Sequence, residues 1–399
     1  MPVTGPTTTV LKLGTAQTLA WASTYYLPAI LAAPMARDLG VSVATVFAAF
    51  SVGLLITGIL GPRAGRAIDS RGGRPVLAVS NLLFAAGLLM LGFASGSWSL
   101  FAAWMVIGIG MSCGLYEAAF ATLVRMYGRD ARNVITGITL LAGFASTVGW
   151  PLSTALEAWV GWRGTCFAWA GLHLLIALPL NLSLPPLESV DAPGVPGVQA
   201  TNHSPPGQQA AVPMKSAVLL ALVFAITWFI STAMAAHLPA LLTASGVSLG
   251  MAVVAGGLIG PAQVAGRLLE FGALRHVHPL LSARLASALH PIGAAALAIV
   301  GAPAAILFAV LHGAGNGILT IAKGTLPLAL FGPQGYGERQ GVLMVPARLA
   351  QALAPWLFGL CVEEWCTGAI WVSAALGCIA LFALWLIQPV ESIAKDNAL

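Results

Sequence analysis

The sequence predicts an all-α membrane protein of twelve transmembrane helices in two six-helix halves. Three observations carry this expectation: a composition short of charge, a regular series of apolar runs, and basic residues that fall on one side of those runs. Of 399 residues, 58% are hydrophobic and 8% charged, with a mean hydropathy of +0.89. Soluble domains carry roughly 25% charged residues. So few charges cannot cover a water-facing surface, and the main solvent of this chain is expected to be lipid.

A spanning helix needs about 20 apolar residues. Such runs fall at 13–34, 43–60, 76–93, 100–123, 134–156 and 165–184. A second set follows at 216–242, 251–271, 280–300, 304–331, 341–361 and 369–388. Proline and glycine within the runs are compatible with membrane helices, whose neighbours re-satisfy freed backbone groups. The chain therefore divides into an N-terminal bundle (1–184), a linker (185–213) and a C-terminal bundle (214–399). The linker is rich in Pro, Gly, Gln and Ser, and no part of it is apolar for long enough to span. The first apolar run is itself long enough to span, so no cleavable signal peptide is expected.

Orientation follows from lysine and arginine. With the N-terminus inside, fourteen of the eighteen basic residues face the cytoplasm and two, Arg37 and Arg163, face outward. Lys323 and Arg348 lie within helices. Both termini and the linker are thus expected in the cytoplasm, with the chain a multi-pass protein of the inner membrane.

The two halves echo each other. Tyr26-Leu27-Pro28-Ala29 in the first run returns as His237-Leu238-Pro239-Ala240 in the seventh. Gly65-Arg66-x-x-Asp69 returns as Gly266-Arg267-x-x-Glu270, and Tyr127-Gly128 as Phe331-Gly332. Trp150-Pro151 has a counterpart in Pro355-Trp356. The offsets are 211, 201, 204 and about 204. Parallel six-helix repeats with a site between them near the bilayer midplane are a known transporter plan.

Between the second and third runs lies Gly65-Arg66-Ala67-Ile68-Asp69-Ser70-Arg71-Gly72-Gly73-Arg74-Pro75. It resembles the signature G-x-x-x-D-R-x-G-R-R of the major facilitator superfamily. Gly65, Asp69, Gly72 and Arg74 fit; Ser70 and Gly73 depart from it where basic residues are usual. Three further stretches, Leu19 to Pro28, Gly149 to Leu152 and Gly161 to Trp169, resemble a bacterial branch that includes arsenite exporters of the ArsK type.

The resemblance implies a central cavity lined by the first, fourth, seventh and tenth helices. Those runs hold Tyr25 and Tyr26, Cys113 and Glu117, His237, and Asn316 and Lys323; the eleventh adds Arg348. Ionisable groups in lipid face a cavity or one another, because each costs ~2.5–3.5 kcal/mol on insertion scales. At the 204 offset Glu117 maps two residues from Lys323, so the two charges sit at similar depth. Glu117 is either a permanent partner of Lys323 or Arg348, or the carrier of a coupling proton. His237 is a second proton candidate, against a simple hydrogen bond to backbone. Lys323 and Arg348 either bind an anion or only neutralise Glu117, and arginine suits planar carboxylates. Tyr25, Tyr26, Trp150 and Trp228 are cavity walls or packing. Cys113 lies four residues before Glu117, hence on the same helix face, and its thiol is either a soft-metalloid ligand or a small packing residue.

The loop itself, with Gly65, Asp69, Arg71, Gly72 and Arg74, is expected to latch the cytoplasmic side, and Arg267 with Glu270 to form its counterpart. No zinc-type cysteine spacing and no Walker loop is present, so no metal, cofactor or ATP is expected, and the chain is not an enzyme. The reading is a monomeric secondary transporter whose partners are a small molecule, protons and the bilayer, with no nucleic acid. Proton-coupled efflux of a small toxic solute, arsenite-like, is the first candidate. A proton-linked carrier of small organic anions is the alternative, and arsenite, being largely neutral, does not call for Lys323 and Arg348. A receptor or channel is the third class; the paired buried charges and the repeat argue against it.

Overall fold

The computed structural model describes residues 5–186 and 214–388. The linker assigned to 185–213 therefore lies almost wholly outside the described residues. The described residues form fifteen α-helices that make twelve spans, as expected, but several spans are broken where one uninterrupted helix was expected.

The first span is two helices, α1 (Pro6–Ser23) and α2 (Leu27–Leu39). The break falls just before Leu27-Pro28, because Pro28 has no N–H to give the Thr24 carbonyl four residues back and its ring crowds that carbonyl. The second and third spans are α3 (Val43–Arg71) and α4 (Gly73–Gly92). Gly72 joins them at φ 85°, a conformation that disfavours any side chain.

The fourth span is broken too, into α5 (Ser97–Gly114) and α6 (Tyr116–Tyr127), with Leu115 extended between them. This corrects the helix-face argument for Cys113, since the four-residue spacing to Glu117 crosses the break. Gln17 repairs the break by donating to the orphaned Gly114 carbonyl at 2.6 Å. Glu117 now occupies the first turn of α6, where a carboxylate is favoured by the helix dipole.

The fifth span runs through α7 (Ala131–Ala142), interrupted at Gly143 and Phe144, into α8 (Ala145–Leu172). Inside α8 the chain reverses at Gly161 (φ 70°, ψ 174°), and the sixth span continues through a π-helical turn at His173–Ala177 into α9 (Leu178–Leu182). Gly161→Ala is expected to destabilise the protein by about 1 kcal/mol, the cost of a Cβ in left-handed backbone. Thermal unfolding in detergent checks this, and an unchanged midpoint would contradict it.

The remaining six spans are single helices: α10 (Met214–Ala244), α11 (Leu249–Gly272), α12 (Pro279–Val300), α13 (Ala305–Phe331), α14 (Tyr336–Trp365) and α15 (Ala369–Leu386). One buried apolar core runs from Leu13 to Leu184 and takes in Leu328 and Tyr336 from the second half. Two others are drawn wholly from residues 220–387.

The halves meet most closely along α3 and α14. A Cβ on Gly65 would lie 1.9 Å from the Gly337 carbonyl oxygen, and one on Gly341 would lie 2.6 Å from Gly61 backbone. Backbone touches backbone here, as small residues permit in membranes. These contacts lie toward the end at which the linker emerges, called here the linker end.

Candidate functional site

Arg348 of α14 is the centre of the site. Its side chain is almost fully buried, and it donates from Nη2 to Glu117 Oε1 at 2.7 Å across the two halves. Nη1 donates to Gln351 Oε1 at 2.9 Å, and Gln351 Nε2 donates to the Tyr25 hydroxyl at 3.1 Å. Gly58 of α3 makes room, because a Cβ there would lie 2.9 Å from Arg348 Cβ. Of the two partners offered by the sequence, the carboxylate takes Arg348.

Lys323 is only 5% exposed and has no carboxylate within ion-pair distance among the described residues. Its ammonium sits 4.0 Å from the centroid of the Trp228 ring, and the Arg348 guanidinium carbon lies 5.2 Å from the same ring. The negative ring face attracts both cations. Trp228 stacks on Trp21 of the first half, with centroids 6.4 Å apart and planes 7° from parallel. Trp21 packs in turn on Tyr25 and Tyr116. Tyr26 packs on Tyr25 and Trp150.

A third buried cation lies on α11. Arg267 was expected in the latch with Glu270, but it is buried on α11 with its guanidinium against Gly143 at the α7–α8 break. A Cβ on Gly143 would lie 2.0 Å from Arg267 Nη1. Nε and Nη1 of Arg267 have no hydrogen-bond partner. At the centre two cations, Arg348 and Lys323, thus share one ring and one carboxylate, and the missing counter-charge is negative.

The other predicted site residues are more peripheral. Asn316 donates to Ser231 Oγ at 3.0 Å on the wall between α13 and α10. Cys113 contacts Ser112 and no other thiol. His237 uses Nε2 on the Pro355 carbonyl at 2.7 Å, about two and a half turns along α10 from Trp228. That contact is the plain backbone hydrogen bond weighed against a proton role. Among the described residues no group of three or more His, Cys, Asp or Glu could hold a metal ion.

At the linker end Asp69 accepts from the backbone N–H groups of Gly337 and Glu338, at 2.9 and 2.8 Å. It thereby caps the first turn of α14, whose free N–H groups and dipole favour a carboxylate. Arg66 pairs with Glu338 at 2.5 Å in the open. Arg71 and Arg74 make no ion pair among the described residues. In the repeated position Glu270 accepts from Arg132 of α7 at 2.9 Å, and Arg132 also donates to the Leu274 and Val277 carbonyls. Each half therefore grips the start of a helix in the other.

Sequence reasoning missed Trp21, Gln351, Arg132 and the Arg66–Glu338 pair. Gln351 carried a signal: it stands three residues after Arg348 and so shares its helix face.

A two-half, twelve-span bundle with a charged centre and a linker-end clasp defines the class of secondary transporters. The family model of the Major Facilitator Superfamily matches residues 13–298, and the chain belongs to that family. It is not an enzyme. It is 31% identical over 149 residues to monocarboxylate transporter 9 of Pongo abelii, covering 36% of this chain and 28% of the relative. It is 28% identical over 188 residues to the purine ribonucleoside efflux pump NepI of Salmonella paratyphi B, covering 44% of this chain and 43% of the relative. The matched stretches thus span less than half of these curated relatives. The fold superposes on the proton:xylose symporter XylE with a TM-score of 0.75 at 12% identity, covering 96% of this chain and 97% of the other.

Proposed function

We propose that the protein is a proton-coupled transporter of small organic anions, of the size of monocarboxylates, in the cell's inner membrane. The observation that carries this reading is the pair of buried cations at the centre, Arg348 and Lys323, which share the Trp228 ring and have Glu117 as the one carboxylate bonded there. Buried charge without a counter-charge is costly, and a carboxylate ligand relieves it. Arginine receives a planar carboxylate through two parallel donors. The similarity to a monocarboxylate transporter points the same way.

The mechanism follows from competition. Glu117 serves as a resident anion on Arg348, and the substrate carboxylate replaces it. A released Glu117 in a partly dry cavity takes up a proton, which couples the two fluxes. The linker end is cytoplasmic by the distribution of basic residues. The Asp69 and Glu270 contacts hold that side shut, and they part when the halves rock to the alternate state. An arsenite-like cargo is not favoured, because the site offers a single thiol, Cys113, and a neutral solute leaves the cations unmet.

Proteoliposomes separate the readings. Uptake of lactate, pyruvate or benzoate against a concentration gradient is expected when a pH gradient is imposed, and not without one. Failure of all three acids, with uptake of arsenite, would overturn the proposal. Glu117→Gln is expected to keep exchange within a few-fold and to lose at least ~10-fold in gradient-driven accumulation, in the range of general acid–base effects. Full accumulation by that variant would remove the proton from Glu117.

A further inference from the structure

Away from the central site, two histidines are buried against each other inside the second half. His290 of α12 and His312 of α13 approach Nδ1 to Nδ1 at 3.0 Å. That distance requires one proton between the two nitrogens, so one ring donates and the other accepts. The donating ring then has a bare Nε2. The accepting ring carries its hydrogen on Nε2. Phe308 lies parallel to the His312 ring and closes one side.

A cavity of about 20 Å³ adjoins the pair, bounded in part by Thr227, Ser287, Asn316 and Gly377. It holds about one water molecule. His290 Nε2 is buried without a hydrogen-bond partner, and the Ser373 carbonyl of α15 lies against that ring. The residues that face the pair from α10, α12 and α15 carry no charge, so the two imidazoles are the titratable groups of this cavity. Along α13 the same face continues from His312 through Asn316 and Thr320 to Lys323. Thr320 donates to the Asn316 backbone carbonyl and the Asn316 side chain to Ser231 Oγ, so this face is polar along its length.

The first half does not repeat this pair. At the offset of about 204, the matching positions of the first half hold Ala86 and Gly108. A buried polar pair confined to one half of a repeated fold is a functional candidate.

We propose that His290 and His312 form a one-proton binding site, distinct from the Glu117–Arg348 pair, and that a proton there strengthens anion binding at Lys323 and Arg348. Protonation adds H⁺ to the bare Nε2 of the donating ring. The product is an imidazolium that keeps its Nδ1–H···Nδ1 bond to the neutral ring, with a net charge of +1 on the pair. Nothing is oxidised or reduced, and the proton arrives through the water-sized cavity. His312 stands about 16 Å from Lys323 at 1.5 Å per residue. A unit charge at that distance, at an effective dielectric of about 20, changes anion affinity about 5-fold.

The second clause of this proposal rests on the anion reading above, and the test keeps the two apart. In reconstituted Glu117→Gln protein, benzoate exchange is measured with equal pH on both sides, from pH 5 to 8. Half-saturation is expected to rise about 5-fold as the pH increases, and to become flat when His312→Gln is added. Persistence of the pH dependence in that double variant would overturn the proposal. So would an equal loss of exchange at every pH, which marks a purely structural pair. Magic-angle NMR of ¹⁵N-histidine in the reconstituted wild type supplies a readout that needs neither substrate nor variant. One shared N–H···N signal that takes up a single proton is expected; two rings that stay neutral from pH 4 to 9 would refute the site. If wild type exchanges no acid, the anion reading fails, and the NMR result still decides the proton site.

Discussion

Arg348→Lys is expected to reduce anion transport about 100-fold while leaving a folded protein. Lysine keeps the charge but not the fork. Arg348 holds Glu117 with one nitrogen and Gln351 with another, and through Gln351 it fixes the Tyr25 hydroxyl. An ammonium on a flexible stem cannot hold both at the same angles. A charge-assisted bond is worth roughly 1.5–3 kcal/mol, and loss of one of the two, at the upper part of that range, accounts for the expected fall in rate. Arg348→Ala is the harsher change, because it leaves Glu117 in place without its partner. Removing one partner of a buried pair costs about 3–5 kcal/mol. Adding Glu117→Gln to Arg348→Gln is expected to restore the thermal midpoint but not transport. Uptake in proteoliposomes together with unfolding in detergent checks the pair. Near-normal uptake by Arg348→Lys would show that charge alone suffices at this position.

Gly65→Val is expected to abolish transport by preventing closure at the linker end. The Cβ would lie 1.9 Å from a backbone oxygen, that of Gly337, and backbone cannot rotate away as a side chain can. Helices α3 and α14 must then separate by more than an ångström along their contact. Asp69 would lose its hold on the Gly337 and Glu338 amides. Closure is only one of two states of an alternating transporter, so the fold survives while its equilibrium shifts. Leu328 reports this shift, since it is buried in the core that joins the halves. In a background without other cysteines, Leu328→Cys is expected to react with a maleimide at least ~10-fold faster when Gly65→Val is present. Equal labelling, with transport intact, would show that the close contact is incidental.

The fold was legible because lipid imposes a simple rule: twelve apolar runs and a basic side leave few arrangements open. Asp69 was legible for a related reason, since an acid inside a basic loop adds nothing to topology. The site was legible as a set of residues but not as a set of partners. Glu117 and Lys323 stand at similar depth in the repeat, yet depth does not fix direction, and the carboxylate turns to Arg348. The break at Leu115 was hidden because no proline marks it, although Gly114 precedes it. Arg267 misled for the opposite reason. Its spacing from Glu270 copies that of Arg66 from Asp69, but a long side chain reaches a full turn from its Cα. Here it reaches Gly143, whose lack of a Cβ leaves the space. Trp21 was one tryptophan among twelve, and only the packing of two halves brings it onto Trp228.

The two clasps at the linker end differ in what they ask of evolution. Glu270 holds a side chain, Arg132, and any mutation at either residue retunes or deletes that arm. Asp69 holds main-chain amides, which every amino acid except proline supplies. The sequence of the opposing turn can therefore drift freely in chemistry, limited only by the space that Gly65 and Gly337 must keep open. One arm is thus a robust fixture that tolerates mutation of its partner, and the other is an adjustable one. A lineage that changes its cargo, and so needs a different ease of opening, has the Arg132–Glu270 arm to vary while the Asp69 arm stays constant.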